Sequence, residues 1–416
     1  MTRQRSTRTL RELLRNGLFI DGDWVESKDQ DPSGTIRLTQ LADVGETLWR
    51  DRSDRWMNEE QARRLRITYL HPGDVLVARM PDPLGRACLV PETIGRAATV
   101  VDVAVLRPSP QSIDSRYLMY AINSRPVRSQ IELLQAGATR QRVSRKNLGG
   151  VRVPFVPADE QHAIADYLDH ETAGLDALVA KQEEFIELLR ERRLSEVSDS
   201  LARLGPPNTQ LRRVAYIQTG VTLSGEGDTS HPSWPYLRVA NVQMGRVDLS
   251  HVKEIRLSAR DAAGSMLRAG DVLMTEGGDI DKLGRGTVWD GCISPMVHQN
   301  HVFAVRAEPG RLVPHYLAWW LDSSIAREYF YLTAKKTTNL ASTNKTVVGR
   351  LPIHVPDLNE QQVTVAQIVE RTNRIDALMA KASQHIALAK ERRSALITAA
   401  VTGQIDVRTA ASQKAS

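Results

Sequence analysis

Two stretches of this chain, set 200 residues apart, are near copies of one another. That duplication limits what the chain can fold into more than any other feature. From Glu160 to Arg193 and from Glu360 to Arg393 the sequences align without a gap, with 13 identities in 34 positions. Ordinary residue usage would give roughly two. Glu160-Gln161 meets Glu360-Gln361, Thr172 meets Thr372, Asp176-Ala177-Leu178 meets Asp376-Ala377-Leu378, and Glu191-Arg192-Arg193 meets Glu391-Arg392-Arg393. The repeat extends upstream with shifts that drift between 197 and 201. Gly73-Asp74-Val75-Leu76 resembles Gly270-Asp271-Val272-Leu273, Gly85-Arg86 resembles Gly284-Arg285, and Tyr117-Leu118 resembles Tyr316-Leu317. Ile36-Arg37-Leu38 aligns with Leu237-Arg238-Val239, and Ser144 falls opposite Ser342. The chain is therefore a tandem of one compact domain and one helical arm, used twice.

The gapless stretches predict long helices. The first begins near Asp159 and runs to about Leu204, where Gly205-Pro206-Pro207 stops it; the second runs from near Asn359 to Thr402, with Gly403 as its stop. At 1.5 Å per residue each would be roughly 65 Å long, too long to bury in one small domain. Ile368, Thr372, Ile375, Met379, Ala382, Ile386, Ala389, Arg393, Leu396 and Ala400 follow an alternating spacing of four and three. Leu168, Thr172, Leu175, Val179, Gln182, Ile186 and Leu189 repeat it. That is a coiled-coil seam, so the helices are expected to pack lengthwise. The alternative is two separate amphipathic helices, each lying on its own domain.

The globular halves, 19–157 and 209–356, read as mixed α/β, giving an α+β chain. Short apolar runs such as Val75–Ala78, Val100–Leu106, Val272–Thr275 and Val302–Val305 are bounded by Gly, Pro and Asp. One helix is expected in each half, over Ser115–Leu134 and Pro314–Leu332. The segment 1–18 reads as a basic extension, 206–209 as a short linker, and 404–416 as a polar tail.

The net charge of +6 suits a polyanionic partner. Its placement matters more. Gly137–Leu148 carries Arg140, Arg142, Arg145 and Lys146 with no acid; Thr333–Thr346 carries Lys335, Lys336 and Lys345, again with no acid, and includes Asn339. Both stretches stand just before the strand that leads into a long helix. Lys and Arg neutralise phosphates, while Arg, Asn and Gln can pair with base edges, so this mixture has the chemistry for DNA. Arg37 with Gln40, and Arg238 with Asn241, form a second candidate pair of contacts that could instead close turns. The Arg-rich stretch Trp49–Arg66 is a further candidate surface of the first half.

Other features carry less. Tyr316, Trp319, Trp320, Tyr329, Phe330 and Tyr331 sit on an expected amphipathic helix and read as core. His298 and His301 have no third ligand nearby, so no metal site is expected. Cys88 and Cys292 read as two buried small side chains, not a disulfide framework. No phosphate loop, cofactor fingerprint or nuclease motif is present, so no catalytic residue is assigned. No stretch approaches a membrane span and no signal peptide is visible, so a cytoplasmic protein is expected.

The order of head, long helix opened by Glu-Gln, second head and second such helix resembles the specificity (S) subunit of type I restriction–modification systems. Val156-Pro157-Ala158-Asp159-Glu160-Gln161, Val355-Pro356-Asp357-Leu358-Asn359-Glu360-Gln361, Lys390–Ile397 and Tyr236–Val242 carry the resemblance, which covers residues 19–406. It implies two target-recognition domains (19–157 and 209–356) joined by two antiparallel spacer helices (158–205 and 357–403) in a pseudo-two-fold repeat. Each head would read one half of a bipartite double-stranded DNA target. Two methylation (M) subunits would dock on the helices, for which Leu175, Leu178, Ile186, Leu189, Ile375, Leu378, Ile386 and Leu396 are the candidates. Restriction (R) subunits would join in some systems. S-adenosylmethionine, ATP and Mg would act on those partners, not on this chain. One departure stands out: His170 and Gly174 of the first helix meet Glu370 and Arg374 of the second, which breaks symmetry of docking. The competing readings are a fused enzyme with unrecognised motifs and a coiled-coil scaffold without DNA reading.

Overall fold

A computed structural model describes residues 5–81, 83–135, 142–222, 230–243, 245–280, 283–337 and 340–408. The chain divides into two compact units, Met1–Gln182 with Gln384–Ser416, and Glu183–Ser383. Each unit holds one head and a part of each long helix.

Head 1 is built on a four-stranded antiparallel sheet in the order Leu18–Asp21, Val103–Arg107, Val75–Ala78, Ala87–Leu89. Successive residues of its strands feed opposite cores. Val75, Val77, Ala104 and Leu106 face the helices, while Leu76, Ala78, Val103 and Val105 face a second cluster around Cys88. Both faces being covered is why these strands read as unbroken apolar runs and not as alternating ones. A smaller sheet follows the order Trp56–Met57, Ile36–Thr39, Ala97–Thr99, with its last pairing parallel. Head 2 repeats both. Its larger sheet runs Ala215–Thr219, Val302–Ala307, Val272–Thr275, Gly286–Val288, and its smaller one Lys253–Arg256, Ser233–Leu237, Val297–His298.

The single helix expected in each head is two helices. Ser115–Asn123 is followed by Arg125–Leu133, and Pro314–Asp322 by Ser324–Thr333. The break falls at Ser124 and Ser323, which adopt extended backbone while their hydroxyls donate to Ala121 and Trp320 carbonyls, each at 2.6 Å. A serine that bonds the preceding turn ends one helix and starts the next.

The repeated residues prove to be the joints of the frame. Asp74 is buried and takes Arg107 bidentately at 2.6 and 2.7 Å; Asp271 does the same with Arg306 at 2.8 and 2.7 Å. Gly85 and Gly284 have φ of +74° and +79°, where a Cβ would also approach Ile131 and Phe330, respectively. Tyr117 donates its hydroxyl to the Pro154 carbonyl, and Tyr316 to that of His354.

The long helices span Ala158–Ala202 and Leu358–Thr402. Gln161 and Gln361, both buried, fasten each helix start to its head. Gln161 accepts from Asp114 N–H and donates to Val156 O; Gln361 accepts from Val313 N–H and donates to Pro356 O. In unit 1, Ile164 and Leu168 pack with Ile397, Ala400 and Val401, and Arg393 holds Asp176 at 2.8 Å. In unit 2, Val197 and Leu201 share a core with Ile368, and Arg193 holds Asp376 at 2.9 Å. Both sets of partners run in opposite chain directions, so the helices pair antiparallel within each unit. Arg393, which interrupts the apolar seam, is thus one half of a repeated ion pair.

Three further expectations change. Ser6–Thr9 pairs with Arg152–Phe155, and Leu10 and Leu13 are buried, so the basic extension belongs to head 1. Arg5 at its start donates to the Ala400 and Val401 carbonyls at 2.7 and 2.6 Å and pairs with Glu160. Val407 of the polar tail is buried in the same core. Cys88 is buried, and desolvation pushes its thiol up to about 12, but Cys292 is exposed.

Candidate nucleic-acid interface

In each head the central strand of the larger sheet ends at the basic stretch. In head 1, Val75–Ala78 leads to Arg79, whose N–H donates to Asp102 O at 2.9 Å and whose carbonyl accepts from Val143 N–H at 3.0 Å. Arg142 donates to Val101 O at 3.1 Å and lies 3.5 Å from Asp102. Ser144 then caps the short helix Arg145–Leu148, accepting from Asn147 N–H at 3.1 Å. Arg145 and Lys146 are exposed. Arg140 lies outside the described residues. Arg11, Phe19, Asp21, Arg79, Arg142 and the 144–147 turn line a cavity of about 910 Å³. Burial pushes the Arg79 guanidinium's pKa down, against the pull of the adjoining Asp21.

Head 2 uses the same backbone joint with different side chains. Val272–Thr275 leads to Glu276, whose N–H donates to His301 O at 2.9 Å and whose carbonyl accepts from Thr343 N–H at 2.8 Å. Glu276 and His301 are joined at 2.6 Å. The basic stretch forms a hairpin, Lys335–Lys336 with Ala341–Ser342, extended by Gly277–Gly278. Lys335 and Lys336 are exposed, and the Lys336 ammonium sits 3.7 Å from the ring centre of Tyr331. Lys345 lies 5.4 Å from that of Tyr216. Asn344, not Ser342, is the helix cap matching Ser144, accepting from Val347 N–H at 3.0 Å. Asn339 lies outside the described residues.

Tyr216 and Tyr331 are 60% and 54% exposed, so two aromatic faces stand beside lysines on the rim of head 2. Tyr316, Trp320 and Phe330 are core, as expected, but Tyr331 is not. Ala326 and Phe330 mark the buried face of its helix, Ser324–Thr333, and Tyr331 lies about 100° further round. Tyr216 gave no signal, because nothing in sequence links it to Lys345.

The second candidate pair turns out to be mostly architecture. Arg37 ion-pairs with Asp51, lies 3.5 Å from Asp43 and donates to Ser53 O at 2.9 Å. Asp43 is fully buried and accepts from the N–H groups of Gln40, Arg52 and Ser53 at 2.8, 2.7 and 2.7 Å. In head 2, Asn241 plays the Asp43 part: it accepts from Arg238 N–H at 2.9 Å and donates to Asp248 O at 2.8 Å. So Arg238 matches Gln40 and Asn241 matches Asp43; the alignment of Arg37 with Arg238 is out of register by three. A shared Arg flanked by apolar residues favours the wrong shift. Arg37 and Asn241 are turn-closing groups, while Gln40 and Arg238 are half-buried beside them. In the Arg-rich stretch, Arg50, Arg52, Arg55, Arg63 and Arg66 are exposed, and Arg64 pairs with Asp29.

On the long helices, Leu189 and Ile375 are buried in the seam, and Leu175, Ile186, Ile386 and Leu396 are half-buried. Leu178 and Leu378 are exposed, as are Leu188 and Leu388, which the seam pattern left aside.

His298 is buried, with Nδ1 2.8 Å from Val302 O, and desolvation holds its pKa down. Among the described residues, no group of three or more His, Cys, Asp or Glu side chains could hold a metal. None of the described helices is long and apolar enough to cross a membrane.

No protein-family model matches the chain. It is 21% identical over 320 residues to the type I restriction enzyme EcoKI specificity subunit of Escherichia coli strain K12, covering 72% of this chain and 68% of that protein. It is 21% identical over 286 residues to the type I restriction enzyme StySPI specificity subunit of Salmonella potsdam, covering 65% of this chain. That match spans 60% of the Salmonella protein, less than two thirds of its length. The fold matches a chain from a structural study of assembly and conformational transition in a type I restriction–modification system, with TM-score 0.65 and 16% identity over 97% of this chain and 99% of the other.

Proposed function

Because the chain is homologous to the specificity subunits of type I restriction–modification systems, we propose that it is the non-catalytic DNA reader of such a complex. Each head reads one half of a bipartite target, and the paired helices set the spacer between the halves. The observation that carries this reading is the shared joint: in both heads the central strand delivers an acid-free basic stretch to the same place in the fold. Exposed Arg145, Lys146, Lys335, Lys336 and Lys345 neutralise phosphates, which fixes position, and polar neighbours on the same loops read base edges. Exposed Leu178, Leu188, Leu378 and Leu388 offer apolar anchors to methylation subunits. Those partners would carry S-adenosylmethionine, and restriction subunits ATP and Mg, in the cytoplasm.

Footprinting of the assembled complex tests this. Two short protected blocks separated by an unprotected spacer are expected, together with loss of one split methylation motif from the host genome when the gene is deleted. Methyl transfer or cleavage by the purified chain alone would establish the fused-enzyme reading instead.

A further inference from the structure

The cavity of head 1 contains a cation that the fold leaves incompletely paired. Arg79 is 3% exposed, and its Nε has no hydrogen-bond partner. Its other nitrogens are used, one on Asp21 and one on Val101 O at 2.9 Å. That Nε is itself closed off from solvent, as are the unpartnered Nε atoms of Arg37, Arg128 and Arg238, so what the cavity offers a ligand is the set of cations that line it.

The surroundings specify the charge of that ligand. Arg11, Arg79, Arg142, Arg145 and Lys146 line the cavity, and Asp21 is the one carboxylate among the lining residues. Asp102 stands behind Arg142 at 3.5 Å and offsets it in part. Arg11 donates to Lys146 O at 3.1 Å, which ties the segment that follows Ser6–Thr9 to the basic turn. The Ser144 hydroxyl and the Asn147 side chain add neutral polar groups. Several guanidinium forks around one concave space suit a tetrahedral oxyanion with many acceptor lone pairs. At about 910 Å³ the cavity has room for more than the anion alone.

Head 2 differs at the decisive position. Glu276 occupies the backbone joint of Arg79, its carboxylate is held by His301, and Ser342 precedes Thr343 where Arg142 precedes Val143. A carboxylate there repels the ligand that Arg79 attracts.

We propose that the cavity of head 1 binds a phosphate group, with Arg11, Arg142, Arg145 and Lys146 as its contacts and buried Arg79 adding its charge, and that the matching place in head 2 does not. The phosphate comes from the DNA backbone or from a free phosphate or nucleotide. In the first case the inference rests on the DNA-reading proposal above; in the second it stands apart from it.

The test titrates the full-length chain with inorganic phosphate at low ionic strength, and separately with a mixed-sequence duplex. One saturable phosphate per chain is expected. Arg79→Met should weaken it at least ten-fold, and so should the surface double variant Arg142→Gln with Arg145→Gln, which guards against a folding defect in the first. Lys335→Gln with Lys336→Gln in head 2 should change it less than two-fold. Absence of saturable phosphate binding, or an equal loss from the head 2 variant, overturns the proposal. If phosphate displaces the duplex, and the head 1 double variant flattens the salt dependence of duplex binding by about one unit of slope for each DNA phosphate it no longer neutralises, the backbone is the source. If both bind together, the ligand is free phosphate or a nucleotide. Phosphate binding with no duplex binding makes free phosphate or a nucleotide the ligand, and leaves DNA reading to the footprint of the assembled complex.

Discussion

The two heads share a skeleton and differ at the rim, and the boundary between likeness and difference is sharp. Asp74 and Asp271, Gly85 and Gly284, Tyr117 and Tyr316, Ser124 and Ser323, and Gln161 and Gln361 do the same jobs with equivalent partners. One step beyond the central strand, Arg79 faces Glu276 across the comparison, and a capped turn faces a lysine hairpin. Residues that hold the frame are constrained by buried geometry. Rim residues answer to whatever they touch. Under the DNA-reading proposal, two heads so divided would read different half-sites.

Removing a shared joint should have the largest effect, and the same one in both heads. Asp271→Ala leaves Arg306 without its carboxylate and strips the Arg268 N–H of its acceptor, bonded at 2.8 Å. Asp74→Ala does the same to Arg107 and His71. Breaking a buried pair from one side costs about 3–5 kcal/mol, trimmed here because both arginines are partly exposed. Urea midpoints should fall by a similar amount for the two variants. A large loss in one and a negligible loss in the other would mean that the frames are not equivalent.

The glycines sharpen the comparison. At Gly284 an added Cβ would lie 2.1 Å from the Phe330 ring; at Gly85 it would lie 2.9 Å from the terminal methyl of Ile131. Both also have positive φ, strained for any other residue. Ile131 can turn a methyl aside, whereas a packed ring cannot. Gly284→Ala should therefore cost about 2–4 kcal/mol and Gly85→Ala about half that, read from thermal unfolding. Equal losses would show that backbone strain dominates and packing adds nothing.

What could be read in sequence follows the same division. The long helices were legible nearly to the residue, because a seam repeated over many turns averages out local ambiguity. Strands Val75–Ala78 and Val272–Thr275 were legible because apolar runs buried on both faces have sharp ends. Other signals failed. The helix breaks at Ser124 and Ser323 lie inside amphipathic patterns that continue across them. The match of Arg37 to Arg238 follows side-chain identity, while the true register is set by a backbone N–H bonded to the buried Asp43 or Asn241. The Ser6–Thr9 strand looks like a charged extension, since an edge strand can be polar on most of its surface. Tyr216 joins Lys345 only through the fold. Local pattern reveals elements; partners distant in the chain reveal sites.

One shared position has changed its chemistry inside the frame, and it supplies the smallest contrast. Asn123 of head 1 is buried, donates to Ala87 O and Met119 O at 2.8 and 2.9 Å and accepts from Ala87 N–H at 3.2 Å. Asp322 stands in its place in head 2, preceding Ser323 as Asn123 precedes Ser124. Burial raises the Asp322 carboxyl to about 6, against the pull of Arg193, Arg285 and Arg327. Its folded pKa thus lies above the ordinary value of 3.8. Between pH 4 and 6 the folded chain holds a proton that the unfolded chain has released. This group's contribution is therefore greatest below pH 4 and is lost as pH rises through 6, by about 1–3 kcal/mol. Asp322→Asn installs the uncharged side chain of head 1 and abolishes that slope. Stability of the parent minus that of the variant, measured by urea unfolding at a series of pH values, should fall from pH 4 to 7 and then level. A flat difference would mean that the arginines compensate the buried carboxylate fully, and that the two heads are as alike in electrostatics here as they are in shape.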